Sequence, residues 1–186
     1  MIDRSFVDYW SERYDKNALK RDKKLEKRIR GKLKKLFPDG KVKYILKDTL
    51  FDIVNWKAPR KKKLAKDNKK EYVFELTKAN FKGHREQLKI EGLTLLKGVE
   101  YRVASAILHF CFPKKYTVMD YRTWECLQKE KELPKDCNIK DDFEHWQKYL
   151  KICRKIAKRC NVPLRKLDKA LWQYHKELEC KKKLRK

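Results

Sequence analysis

Leu95-Leu96-Lys97-Gly98-Val99-Glu100-Tyr101-Arg102-Val103-Ala104-Ser105-Ala106-Ile107-Leu108 is the stretch on which the reading of this chain turns. One apolar helix end meets a glycine, and a second apolar helix begins almost at once. Gly98 permits the positive-φ bend that other residues resist. The second helix then points its first-turn N–H groups and the positive end of its dipole at any anion lying against the turn. Downstream, Tyr116-Thr117-Val118-Met119-Asp120 delivers a carboxylate to the start of another helix.

Outward from that core the pattern is helical. Phe6, Tyr9, Trp10 and Tyr14 recur at helical spacing, as do Leu25, Ile29, Leu33 and Leu36. The opposite face of the second stripe is Lys20, Lys23, Lys24, Lys27, Arg28, Lys34 and Lys35. Phe37-Pro38-Asp39-Gly40 ends it, with Pro and Gly as breakers. Further helices are expected over 49–56, 71–81, 84–96, 101–112, 121–129 and 143–160, and a last one opens at Pro163 with Leu164, Leu167, Leu171 and Tyr174 inward. No stretch alternates as a strand would, only 5 glycines occur, and no internal repeat is visible. The fold class is all-α. The length fits one unit over 1–186, ending in a basic tail at 181–186 that is expected to fray.

Charge narrows the partner. Lys and Arg number 52 against 26 Asp and Glu, a net +26 with pI near 9.8. A chain this basic calls for a polyanion, and nucleic acid leads. An anionic membrane surface or a ribosomal setting is the alternative that charge alone leaves open. Thermophilic habit enriches Lys and Glu together, so it accounts for part of the 42% charged content but not for the two-to-one imbalance. The apolar fraction of 41% supports a real core. No run of about 18 apolar residues suggests a membrane span, and Met1-Ile2-Asp3-Arg4-Ser5 does not read as a signal peptide. A cytoplasmic, nucleoid-associated monomer without membrane contact is expected.

Leu96-Lys97-Gly98-Val99 followed by Val103-Ala104, with Tyr116-Thr117-Val118-Met119-Asp120 at the matching distance, resembles the helix–hairpin–helix (HhH-GPD) DNA glycosylase superfamily, whose members include endonuclease III, adenine glycosylase and 8-oxoguanine glycosylase. The likeness is carried by residues 95–127, and it points to a small branch of that superfamily. It implies a two-lobed helical fold with a DNA-binding cleft between lobes. One lobe would comprise about 1–40 plus 120–180, and the other about 41–118 with the hairpin at 96–104. It also implies duplex DNA as partner and Asp120 as the catalytic carboxylate. Three positions depart from the family. Glu100 stands for the second hairpin glycine, Arg102 for the Schiff-base lysine of bifunctional members, and Lys97 for a proline. Several members carry a four-cysteine iron–sulfur site. Cys153 and Cys160 keep one spacing of such a site, but Cys180 comes too late to continue it. No iron–sulfur cluster or other cofactor is expected, and Cys153 and Cys160 read as free thiols of a reducing compartment.

The site residues each carry a plain reading beside the functional one. Asp is a preferred N-cap, so Asp120 caps a helix, stabilises the cationic sugar left as a base departs, or does both. Gly98, Val99, Glu100, Tyr101 and Arg102 would hold a phosphate through backbone amides, with Lys97 beside them; the plain alternative is a helix ending in a glycine C-cap. The Glu100 carboxylate must then point away or pair with Lys97 or Arg102. Arginine stays charged and forms no Schiff base, so an enzyme here would be monofunctional, hydrolysing the N-glycosidic bond without cutting the backbone. A flipped base needs aromatic faces, for which Tyr101 and Trp124, flanking the hairpin and Asp120, are the candidates. The run Arg60, Lys61, Lys62 and Lys63 offers phosphate contacts or is merely a solvated face. His84, His109, His145 and His175 show no metal spacing, and no metal site is expected. A non-catalytic hairpin module for DNA is the competing functional reading.

Overall fold

The computed structural model describes residues 1–183, with side chains to residue 180. Among the described residues the chain is all-helical. The helices are α1 (Arg4–Asn17), α2 (Lys20–Leu36), α3 (Lys47–Lys57), α4 (Lys62–Lys66), α5 (Lys70–Lys82), α6 (Glu86–Leu93), α7 (Tyr101–Cys111), α8 (Tyr121–Lys129), α9 (Phe143–Arg159) and α10 (Leu164–Lys183), with a 3₁₀ turn at Pro59–Lys61. The end of the expected basic tail, 184–186, lies outside the described residues.

Contacts divide the chain into two compact units: Leu19–Pro113, and Met1–Ala18 together with Lys114–Lys186. This moves α2 out of the lobe expected for residues 1–40. The cause is its apolar stripe: Leu25, Ile29 and Leu33 are buried, and the helix packs on α3 and α7.

In the Leu19–Pro113 unit, α7 is the central element. Every residue from Val103 to Cys111 is buried, as befits a helix apolar on all sides. Ile53, Val54, Val73, Ile90, Leu93 and Leu96 complete the core. The Trp56 ring meets Phe110 edge-on at 5.1 Å. Pro113 follows directly on the helix C-cap, Phe112, where it cannot continue the helix. α6 ends at Leu93 rather than at Leu96, because Thr94 to Leu96 are drawn into turns by bonds to Glu91, Gly92 and Leu93.

In the other unit, α10 packs on α1, α8 and α9. The aromatic stripe of α1 is used there: the Phe6 and Trp10 rings lie 5.0 and 5.1 Å from Tyr174. Trp146, Tyr149, Leu150 and Ile156 of α9 are fully buried. Asp3, Asp120 and Asp142 each cap a helix with a side-chain oxygen.

Candidate nucleic-acid interface

Gly98 takes φ +82, a region L side chains rarely adopt. It is also crowded. A Cβ there would stand 3.2 Å from the Ala65 nitrogen, the Leu64 Cβ and the Lys61 carbonyl oxygen. The hairpin thus lies directly on the basic segment 59–66. Leu96 and Val99 are buried on either side of the glycine, and the Val99 N–H donates to the Leu96 carbonyl at 3.0 Å.

Asn68 clamps the two segments together. Its Oδ1 accepts from the Lys97 N–H at 2.9 Å, while its Nδ2 donates to the carbonyls of Lys97 and Ala65, both at 3.0 Å. Asn68 is only 3% exposed, so its polar atoms must find partners inside the protein, and they do. Sequence reading missed this residue. Its only signal is the Asp67-Asn68 pair between helical segments, ordinary turn chemistry that does not disclose its partner.

The turn redistributes the expected phosphate contacts. The Val99 amide is spent on Leu96 and its side chain is buried, so Val99 builds the hairpin instead of contacting an anion. The Lys97 amide is spent on Asn68, which leaves the exposed Lys97 side chain. Glu100 sits at the N-cap of α7 without making a side-chain cap bond. Its carboxylate pairs with the Lys61 ammonium, a partner outside the expectation that it would point away or pair with Lys97 or Arg102. The first intrahelical bond of α7 runs from the Ala104 N–H to Glu100, so 100–102 form the opening turn, where helix N–H groups face outward. Arg102 is half-buried there, and the Tyr101 hydroxyl donates to Glu91 Oε1 at 3.1 Å. Of the basic run, Arg60, Lys62 and Lys63 are exposed, while Lys61 is turned inward to Glu100.

Asp120 is held from behind. The Tyr149 hydroxyl donates to the Val118 carbonyl at 2.9 Å and lies 2.8 Å from the Thr123 hydroxyl, which donates to the Asp120 carbonyl at 2.8 Å. Burial holds the Tyr149 phenol well above its ordinary pKa, so it remains a donor. The Asp120 side chain accepts from the Arg122 N–H at 3.0 Å and is half-buried. The capping role is therefore real.

Trp124 is not a base platform. It is 1% exposed, stacked against His145 and Tyr149 at 5.9 and 6.2 Å, and its indole N–H donates to the Cys137 carbonyl at 2.8 Å. Its position on the inward face of α8 puts it in the core.

Cys111, Cys126 and Cys153 are buried free thiols pushed to high pKa by burial, which suits neither a nucleophile nor a metal ligand. Among the described residues no group of His, Cys, Asp and Glu is placed to hold a metal ion, and no helix is long and apolar enough to cross a membrane. Comparison with protein-family models, with curated proteins and with solved structures finds no match in any of the three.

Proposed function

We propose that this chain binds duplex DNA through the 96–102 hairpin and is a monofunctional DNA glycosylase that hydrolyses the N-glycosidic bond of a damaged or modified base with Asp120. The observation that carries the DNA reading is Gly98 at φ +82, packed on a basic segment and clamped by Asn68. A rigid turn opening into an uncapped helix N-terminus is a ready anion site. The net +26 supplies the long-range attraction that a phosphate backbone rewards.

The catalytic part rests on Asp120, a carboxylate held in place at the start of α8 and half-buried. An anion so placed stabilises a cationic sugar or activates water. Arg102 removes amine chemistry from this position. A second reading, a DNA-binding module without base excision, is favoured by the burial of Trp124 and by the engagement of Asp120 as a helix cap.

The test has two arms. Duplex affinity should fall with salt by roughly 0.9 in log K per unit log salt for each neutralised phosphate, and a flat profile removes the nucleic-acid reading. Incubation with a panel of lesion-containing duplexes, followed by alkali, should reveal abasic sites on one of them. Tight binding with no abasic product on any lesion selects the module.

A further inference from the structure

The Leu19–Pro113 unit carries a hollow that the hairpin does not use. It measures about 690 Å³ and lies among α2, α3 and the start of α5. Ligand sites commonly span about 300–1,000 Å³. Its apolar wall is Leu46 and Phe51, and Leu46 is 43% exposed although large and aliphatic. Its rim is cationic, with Lys47, Lys66 and Lys70. Among the described residues no carboxylate pairs with these three lysines. The two carboxylates that face the hollow are already answered: Lys32 bridges Asp48 and Asp52 at 2.6 and 2.8 Å, and Arg28 pairs with Asp52. Burial works against the Lys32 charge, but those two ion pairs outweigh it and hold its pKa up. The floor is neutralised while the rim stays positive.

A second hollow of about 330 Å³ adjoins the first through Arg28 and adds Arg21, Lys24 and Asn55. Arg21, Lys24, Arg28 and Lys32 recur along one face of α2, covering roughly 16 Å at 1.5 Å rise per residue. That is longer than one nucleotide; Arg28 and Lys32 along it are engaged by Asp48 and Asp52, and Arg21 and Lys24 extend the positive rim.

Lys66 Nζ stands 5.5 Å from the centre of the Phe51 ring. A cation over an aromatic face marks a surface that a planar base can take over, with the ammonium passing to the adjoining phosphate. Alternating apolar platform and cation is the chemistry that grips an unpaired strand without reading its sequence.

We propose that this groove binds single-stranded nucleic acid, with one base against Phe51 and Leu46 and the flanking phosphates on Lys47, Lys66 and Lys70. The inference does not rest on the hairpin reading.

The test uses the full chain and fluorescence anisotropy of three labelled probes. These are a short oligodeoxythymidylate, an abasic sugar–phosphate strand of equal length, and a duplex. The wild-type protein should prefer the base-bearing strand to the abasic one by about tenfold, the usual scale of one stacked base. Phe51→Leu keeps apolar bulk but removes the flat face. It should erase that preference and leave duplex binding and the helical circular dichroism signal unchanged. Lys66→Ala with Lys70→Ala should weaken both single strands. Equal binding of base-bearing and abasic strands by the wild type would overturn the proposal, as would a preference that survives Phe51→Leu. Displacement of the strand by poly-aspartate at equal concentration of charge would overturn it too. A protein that ignores duplex yet keeps the tenfold preference would fail the hairpin reading and uphold the groove.

Discussion

Asn68 holds Lys97 by both polar groups of its backbone, accepting from the N–H at 2.9 Å and donating to the carbonyl at 3.0 Å. One side-chain amide thus does what a neighbouring strand would do. It fixes the residue before Gly98 to the basic segment beneath the hairpin. Everything proposed for the hairpin depends on that fixation, since an anion site made of backbone amides works only while the amides keep their aim.

Asn68→Ala is accordingly expected to cost about 1–3 kcal/mol of stability, the usual price of leaving buried partners unmade. Duplex affinity should fall further than that of a surface Lys→Ala variant at the same salt. Urea unfolding and duplex titration measure the two effects. Asn68→Asp should recover little, because a carboxylate cannot donate to the Lys97 and Ala65 carbonyls.

Gly98→Ala should already be costly, and Gly98→Val more so. The alanine Cβ meets three atoms of the 59–66 segment at 3.2 Å and sits at φ +82, so strain and crowding add. The expected outcome is a lowered unfolding midpoint together with weakened duplex binding. The packing of Gly98 on Leu64 and Ala65 makes the substitution a matter of stability as well as of binding. Unchanged midpoint and unchanged affinity would show that the turn is neither tight nor a docking element.

The all-α fold was legible because its signals are periodic. The stripe Leu25, Ile29 and Leu33 is buried as spaced, and Tyr121–Lys129 matches α8 residue for residue. Asp120 as a cap was legible for the same local reason. What the sequence hid depends on contacts far apart in the chain. Nothing near Asn68 names Lys97 as its partner, and nothing near Glu100 names Lys61. Trp124 looked available because it neighbours Asp120 in sequence, but helical geometry turns it to the opposite, buried side. The place of α2 beside α7 was likewise set by tertiary packing of its apolar stripe, which periodicity reveals without saying what covers it.

Glu100→Gln should strengthen duplex binding severalfold. A carboxylate at the N-cap of α7 opposes a phosphate at the same helix end, and its ion pair holds Lys61 back from the strand. Removing the charge releases both restraints. The Glu100 side chain is 61% exposed, so losing the pair should cost at most about 1 kcal/mol, the scale of surface ion pairs. Affinity measured at two salt concentrations decides the matter: a steeper salt slope in Glu100→Gln means that Lys61 has joined the phosphate contacts. Weaker binding would instead assign Glu100 a positive role in shaping the turn.

Asp120→Asn separates the two functional readings. Asparagine caps a helix about as well as aspartate, and its side-chain oxygen still accepts from the Arg122 N–H, so the thermal midpoint should stay near that of wild type. The negative charge disappears, and with it any stabilisation of a cationic sugar or activation of water. On whichever lesion the wild type processes, base release should therefore drop by a hundredfold or more, on the order of 10²–10³ as for loss of one electrostatic group in an active site. Duplex binding should hold or tighten, because one negative group beside the DNA is gone. The same substrate gives a second check through Arg102. No covalent complex should be trapped by borohydride, and strand breaks should appear only after alkali or heat, since arginine cannot form the Schiff base. A trapped complex would point to one of the chain's lysines acting as an amine nucleophile. Undiminished base release in Asp120→Asn would reduce Asp120 to the helix cap seen at α8 and move the search for a catalytic group elsewhere.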